Sequence, residues 1–186
     1  VDQFAKIFAI TVGHEGEALD LTPGDRGNWT GGAIGVGELK GSKFGVSAMS
    51  YPTVDIANLS LADAQAIYHR DYFVPVGGDR LPGPLALLAF DAAVNSGVGN
   101  AARWLQRAVG VPDDGAVGPQ TITAATKLSA ASGVAAVCAE MLAQRIAFMT
   151  ANLREWGLFG ASDARPLGWP RRLFQLAYQS ISLAEV

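Results

Sequence analysis

Glu15 and Asp25 are the two side chains in this sequence whose types and placement best suit acid/base work on a polymer. Cleaving a glycosidic bond takes a proton donor for the leaving oxygen. With inversion it also takes a second group that positions or deprotonates water on the opposite face of the sugar. Glu15 suits the first task as the end of a helix. A carboxyl there faces the negative end of the macrodipole, and apolar neighbours desolvate it, so both effects raise its pKa towards the range of a general acid. Asp25 suits the second task, on a glycine-rich loop whose backbone amides are free to donate to it. Spacing alone leaves a plainer reading open, of a solvated helix-end glutamate and a turn aspartate before Arg26-Gly27.

The elements that must position these residues can be read from periodicity. Phe4, Ile7, Phe8 and Val12 recur at helical spacing over residues 2–14, and Gly16 follows as a stop. Between Gly24 and Gly45 eight glycines fall in 22 residues, which predicts a long irregular loop or short hairpins. A loop of that length in a small domain is usually functional. Ser60 with Asp63 resembles a capping box, opening a helix whose face is Ala64, Ile67, Tyr68 and Tyr72 and which ends before Pro75. Pro82 and Pro84 open an almost wholly apolar helix, Leu85 to Val94, which marks it as central. Further helices are predicted at about 100–109, 119–129, 133–153 and 170–183. The expected architecture is mainly α, with a catalytic lobe at 1–80 and a helical lobe at 81–186 around the central helix.

Composition narrows the chemistry. The 186 residues are 49% hydrophobic and 17% charged, as expected of a globular chain. No apolar run reaches the roughly 20 residues of a bilayer span, and no N-terminal secretory signal pattern is evident. The expectation is therefore a soluble protein without membrane insertion, made in the cytoplasm without a Sec signal. The net charge of −3 is carried by residues 1–80, with six Lys/Arg against ten Asp/Glu. This argues against a nucleic-acid partner, which would call for a basic stripe. A single cysteine, Cys138, forbids an intrachain disulfide and sits in an apolar stretch where a buried thiol is expected. His14-Glu15 begins like a zincin helix, but Ala18 stands where the second His would be, so no metal site is expected. Gly35-Val36-Gly37 and Gly41-Ser42-Lys43 satisfy neither nucleotide-loop spacing.

Several motifs occur in order along the chain. Glu15-Gly16, Asp25-Arg26-Gly27-Asn28-Trp29-Thr30 and Lys43-Phe44-Gly45-Val46-Ser47 are followed by Leu61-Ala62-Asp63-Ala64, Ile67-Tyr68 and Tyr72-Phe73, then by Phe90 to Gly97. Leu105-Gln106, Asp113-Asp114-Gly115, Gly118-Pro119 with Thr121, and Gly168-Trp169 with Arg172 complete the series. Together they resemble glycoside hydrolase family 108, muramidases of phage endolysins and of bacterial proteins once called secretion activators, with a C-terminal predicted peptidoglycan-binding domain. The resemblance covers nearly the whole chain. It departs at Glu17 and Ala18, which replace a glycine and an aromatic, and in a glycine-rich insertion at about Gly31 to Ser42.

The resemblance implies a lysozyme-like fold and a catalytic set of Glu15, Asp25 and Thr30. It implies hydrolysis of the β-1,4 bond between N-acetylmuramic acid and N-acetylglucosamine by inversion, with no cofactor. A monomer acting on peptidoglycan strands is expected, released to the wall by a holin or another secretion route. Alternatives are a lytic transglycosylase using the same glutamate, and a non-catalytic peptidoglycan-binding secretion accessory. Trp29 and Tyr51 are candidates to stack on sugar rings, with burial in the core the competing reading. Asn95 is a further candidate for substrate contact. Its i, i+4 spacing from Asp91 on an apolar helix favours bonding to neighbouring backbone and locking the lobes together. Arg145 and Arg172 are expected to pair with buried carboxylates. Asp114-Gly115 and Gly118-Pro119 read as a turn and a helix start.

Overall fold

The computed structural model describes residues 3–13, 16–155 and 168–184. Among them are seven α-helices and one two-stranded hairpin, the mainly α class that the sequence implies. The chain divides into two compact units, Val1–His69 and Arg70–Val186.

In the first unit α1 (Gln3–Thr11) buries Phe4, Ile7, Phe8 and Thr11. Phe4 meets His69 edge-on at 4.8 Å, and Phe8 meets Tyr68 at 5.4 Å. The helix ends at Thr11, earlier than the spacing predicts, because Gly13 turns left-handed at φ 69°. Glu15 is therefore four residues beyond the helix end in the chain, and a macrodipole effect fades within the last turn. Strands β1 (Ser42–Lys43) and β2 (Val46–Ser47) pair antiparallel around a two-residue turn, Phe44-Gly45. Both turn residues have positive φ, 51° and 74°, as a tight hairpin of this twist requires. Phe44 is held in that costly conformation by its buried ring and by donating its N–H to the Gly16 carbonyl at 2.6 Å. A side chain at Gly45 would run into the Tyr68 hydroxyl. Helix α2 (Leu61–Tyr68) starts at the Ser60–Asp63 capping box and widens into a π-helical turn, His69–Phe73.

In the second unit α3 (Gly83–Ser96) is buried on all sides from Pro84 to Ala93, so it is central as its composition predicts. Against it pack α4 (Val98–Ala108), α6 (Val134–Glu155) and α7 (Gly168–Ala184), while α5 (Pro119–Ser132) lies on α6. Asp91, on α3 and wholly buried, joins three of these helices. Arg145 of α6 donates Nη1 to Oδ2 at 2.6 Å, and Arg172 of α7 donates Nε and Nη2 to Oδ1, the former at 3.0 Å. The expected pairing of both arginines is thus made on one carboxylate. Those ion pairs all lie within the second unit.

By length and composition, residues 134–151 of α6 could cross a membrane. Glu140, Gln144 and Arg145 interrupt its apolar run. The same helix buries Cys138, and burial pushes its thiol up to about 12, leaving it inert as a nucleophile.

Candidate active site

The segment from Asp20 to Thr30 is built by hydrogen bonds between near neighbours. Asp20 accepts from the Thr22 amide at 2.8 Å and the Thr22 hydroxyl at 2.6 Å, which hold its carboxyl below the usual aspartate range. Asn28 is fully buried. Its side chain donates to the Thr22 carbonyl, and its own carbonyl accepts from Lys40 and Gly41 N–H at 3.0 Å. The Trp29 indole N–H donates to the Pro23 carbonyl at 2.9 Å, so the ring braces the loop and is only half-buried.

On this frame Asp25 caps a short 3-10 turn, Arg26–Asn28, accepting the Gly27 amide on Oδ1 at 2.8 Å. The residue is exposed, and the bond to Gly27 leaves Oδ2 outward-bonding capacity for water. Thr30 accepts the Glu38 amide on Oγ1 at 2.9 Å. A hydroxyl that accepts from the backbone keeps its single proton to give. Asp25, Trp29 and Thr30 thus stand on one continuous, self-bonded loop. Tyr51 is half-buried and closes a turn through its amide, bonded to the Ser47 carbonyl at 2.9 Å. Glu15 lies outside the described residues.

A shallow groove of about 390 Å³ is lined by Val12, Gly16, Ala18, Asp20, Ser42, Lys43 and Gly45. It runs beside Gly16, the covalent neighbour of Glu15, and has Asp20 and Lys43 as its charged walls. Sequence reasoning passed over Asp20 and Asn28. The Asp-x-Thr pattern at 20–22 is a side-chain turn signal that would have found the first. Nothing local marks the second, whose role depends on Lys40 and Gly41.

Asn95 belongs to the second unit and donates Nδ2 to the Asp91 carbonyl at 2.8 Å, the backbone bond its spacing favours. The motif residues downstream are likewise bonded to one another. Gln106, buried on α4, donates Nε2 to Asp114 Oδ1 at 2.7 Å and to the Ala116 carbonyl at 3.0 Å. It accepts the Gly115 amide on Oε1 at 2.9 Å, with Thr121 Oγ1 also within 3.4 Å. Pro119 then opens α5. Among the described residues no three His, Cys, Asp or Glu side chains converge to hold a metal ion.

Comparison with known proteins bears on the family and the fold. Residues 8–97 match the family model described as glycosyl hydrolase 108, and residues 100–156 match one described as a predicted peptidoglycan domain. The chain is similar in fold to the structure of Brucella abortus SagA, with a TM-score of 0.68 at 23% identity. That match covers 98% of this chain and 96% of SagA. No curated protein matches the chain. The two matched domains define a glycosidase that acts on the peptidoglycan of the cell wall. Residues 8–97 carry a glycosyl hydrolase 108 domain, which makes the chain a peptidoglycan hydrolase of muramidase type.

Proposed function

We propose that the chain hydrolyses the β-1,4 bond between N-acetylmuramic acid and N-acetylglucosamine with inversion. Glu15 gives its proton to the leaving oxygen, and Asp25 with Thr30 holds the attacking water on the other face of the sugar. The observation that carries this reading is the hydrogen-bond pattern of the loop. The Gly27 and Glu38 amides each occupy one acceptor position, on Asp25 and Thr30, which leaves a carboxylate oxygen to draw a proton from water and a hydroxyl proton to give to it. A transglycosylase, in which the sugar's own hydroxyl attacks, needs no such pair.

Glu15→Gln keeps the side-chain shape and removes the transferable proton. Wall lysis should fall by at least about 10²-fold, the low end of general acid catalysis, with the unfolding temperature unchanged. Near wild-type clearing of cell walls by this variant would remove Glu15 from the mechanism. Mass spectrometry of the digest should find reducing muramic acid ends, and predominant 1,6-anhydro ends would assign the transglycosylase reaction. In an inverting site the Glu15 and Asp25 carboxyls should stand roughly 6.5–9.5 Å apart.

A further inference from the structure

The glycine-rich insertion is an ordered arm. Trp29 and Leu39 face each other as an antiparallel bridge at its root. Thr30 N–H donates to the Glu38 carbonyl at 3.0 Å, and Gly31 N–H to the Val36 carbonyl at 3.1 Å. At the tip Val36 N–H closes back on the Ala33 carbonyl at 3.0 Å. The two sides approach so closely that side chains are excluded. A Cβ at Gly31 would lie 2.5 Å from the Val36 side chain, and one at Gly37 would lie 2.3 Å from Thr30 Oγ1. This economy of bulk at the root contrasts with the tip, where Ile34 is 62% and Val36 51% exposed, with Met49, 39% exposed, against Gly32. The fold therefore spends several hydrogen bonds holding apolar side chains out in water.

An apolar tip could meet a lipid surface, a second copy of the chain or the substrate. Residues 31–39 carry no Lys or Arg, and the one charge, Glu38, is paired with Lys40 at 3.3 Å. Anionic bacterial lipids are approached by basic segments, which this arm lacks. Three side chains also fall far short of the roughly 800 Å² that each partner buries in a stable protein interface. Peptidoglycan fits better. It carries isolated methyl groups among its polar ones, and the arm roots directly on the Asp25–Thr30 loop.

We propose that the arm at 29–39 is a substrate-contact element whose Ile34 and Val36 tip receives the apolar alanine methyl at the start of the peptide stem, where the stem leaves the glycan strand. The inference rests on the Asp25–Thr30 site proposed above. It makes this chain selective for stem-bearing peptidoglycan over bare glycan.

The experiment compares wild type with Ile34→Ser/Val36→Ser on two substrates, intact peptidoglycan and glycan strands stripped of peptide by an amidase. Burial of each methyl group is worth about 0.8 kcal/mol, so KM on intact peptidoglycan should rise about three- to tenfold while kcat holds. On stripped strands KM should stay at the wild-type value. An unchanged KM on intact peptidoglycan, or an equal rise on both substrates, overturns the proposal. So does a loss of binding to phosphatidylglycerol vesicles, or of self-association, with KM unmoved. Should the double variant fold poorly, Ile34→Ser alone leaves the Val36 packing on Gly31 intact and reads the same difference. These assays keep Glu15 in place, so failure of the Glu15→Gln test and failure of the arm are separate results.

Discussion

The two units of this chain use their polar side chains in opposite ways. In residues 16–69 the bonded pairs are mostly local: Asp20 with Thr22, Asp25 with Gly27, Asp55 with Asn58, Ser60 with Asp63. In residues 70–184 the buried ones reach far, and Asp91 binds arginines 54 and 81 positions away. A loop held by local bonds can present acid, hydroxyl and aromatic groups to a substrate at little cost to the rest of the fold. A buried polar group with distant partners is committed to architecture. The comparison sets short-range bonds on the loops of the first unit against bonds between helices in the second.

Three substitutions test that division, in falling order of effect on stability. Asp91→Asn removes the carboxylate that two guanidinium groups share, one of them on an almost wholly buried side chain. Breaking a buried pair from one side costs about 3–5 kcal/mol, so urea unfolding should show a large part of the total stability lost. Catalysis by the fraction still folded should be unaltered. A loss under about 1 kcal/mol would mean the triad is not holding α3, α6 and α7 together. Gln106→Leu strands the Gly115 amide and one of the Asp114 bonds, and should cost about 1–3 kcal/mol by the same measurement. Its retention on sedimented cell walls should match wild type. Loss of retention with full stability would instead make the Gln106 cluster a wall-binding site. Thr30→Val should shift stability by no more than about 0.5 kcal/mol, since the Glu38 amide it abandons is open to water, yet activity should collapse. Thr30→Ser should recover much of it. A fully active Thr30→Val enzyme would leave Glu15 and Asp25 to act alone.

Most of the second unit was legible beforehand. Pro82, Pro84 and Gly97 bracket α3, Gly118-Pro119 starts α5, and the apolar content of Leu85 to Val94 states its burial, because helix limits and burial are local signals. Ser60 with Asp63 made α2 equally plain. Pairing was less readable. Nothing near Asp91 says that Arg145 and Arg172 both seek it. Nothing in a run of glycines says that Trp29 faces Leu39 or that Gly37 must clear Thr30, since those contacts follow from register and close approach rather than from periodicity. Helix α1 was overrun for a related reason. Val12 continues the apolar spacing, and the left-handed Gly13 overrides it.

Helix α6 bears on how the chain is made. A translocation apparatus that weighs hydropathy in a sliding window would meet residues 134–151 as a candidate anchor. An arginine near the middle of such a stretch raises the cost of insertion by roughly 2.5–3.5 kcal/mol. In the folded unit that charge is bound to Asp91 of α3 at 2.6 Å, so the ion pair that joins the helices also occupies the one group that would most oppose insertion.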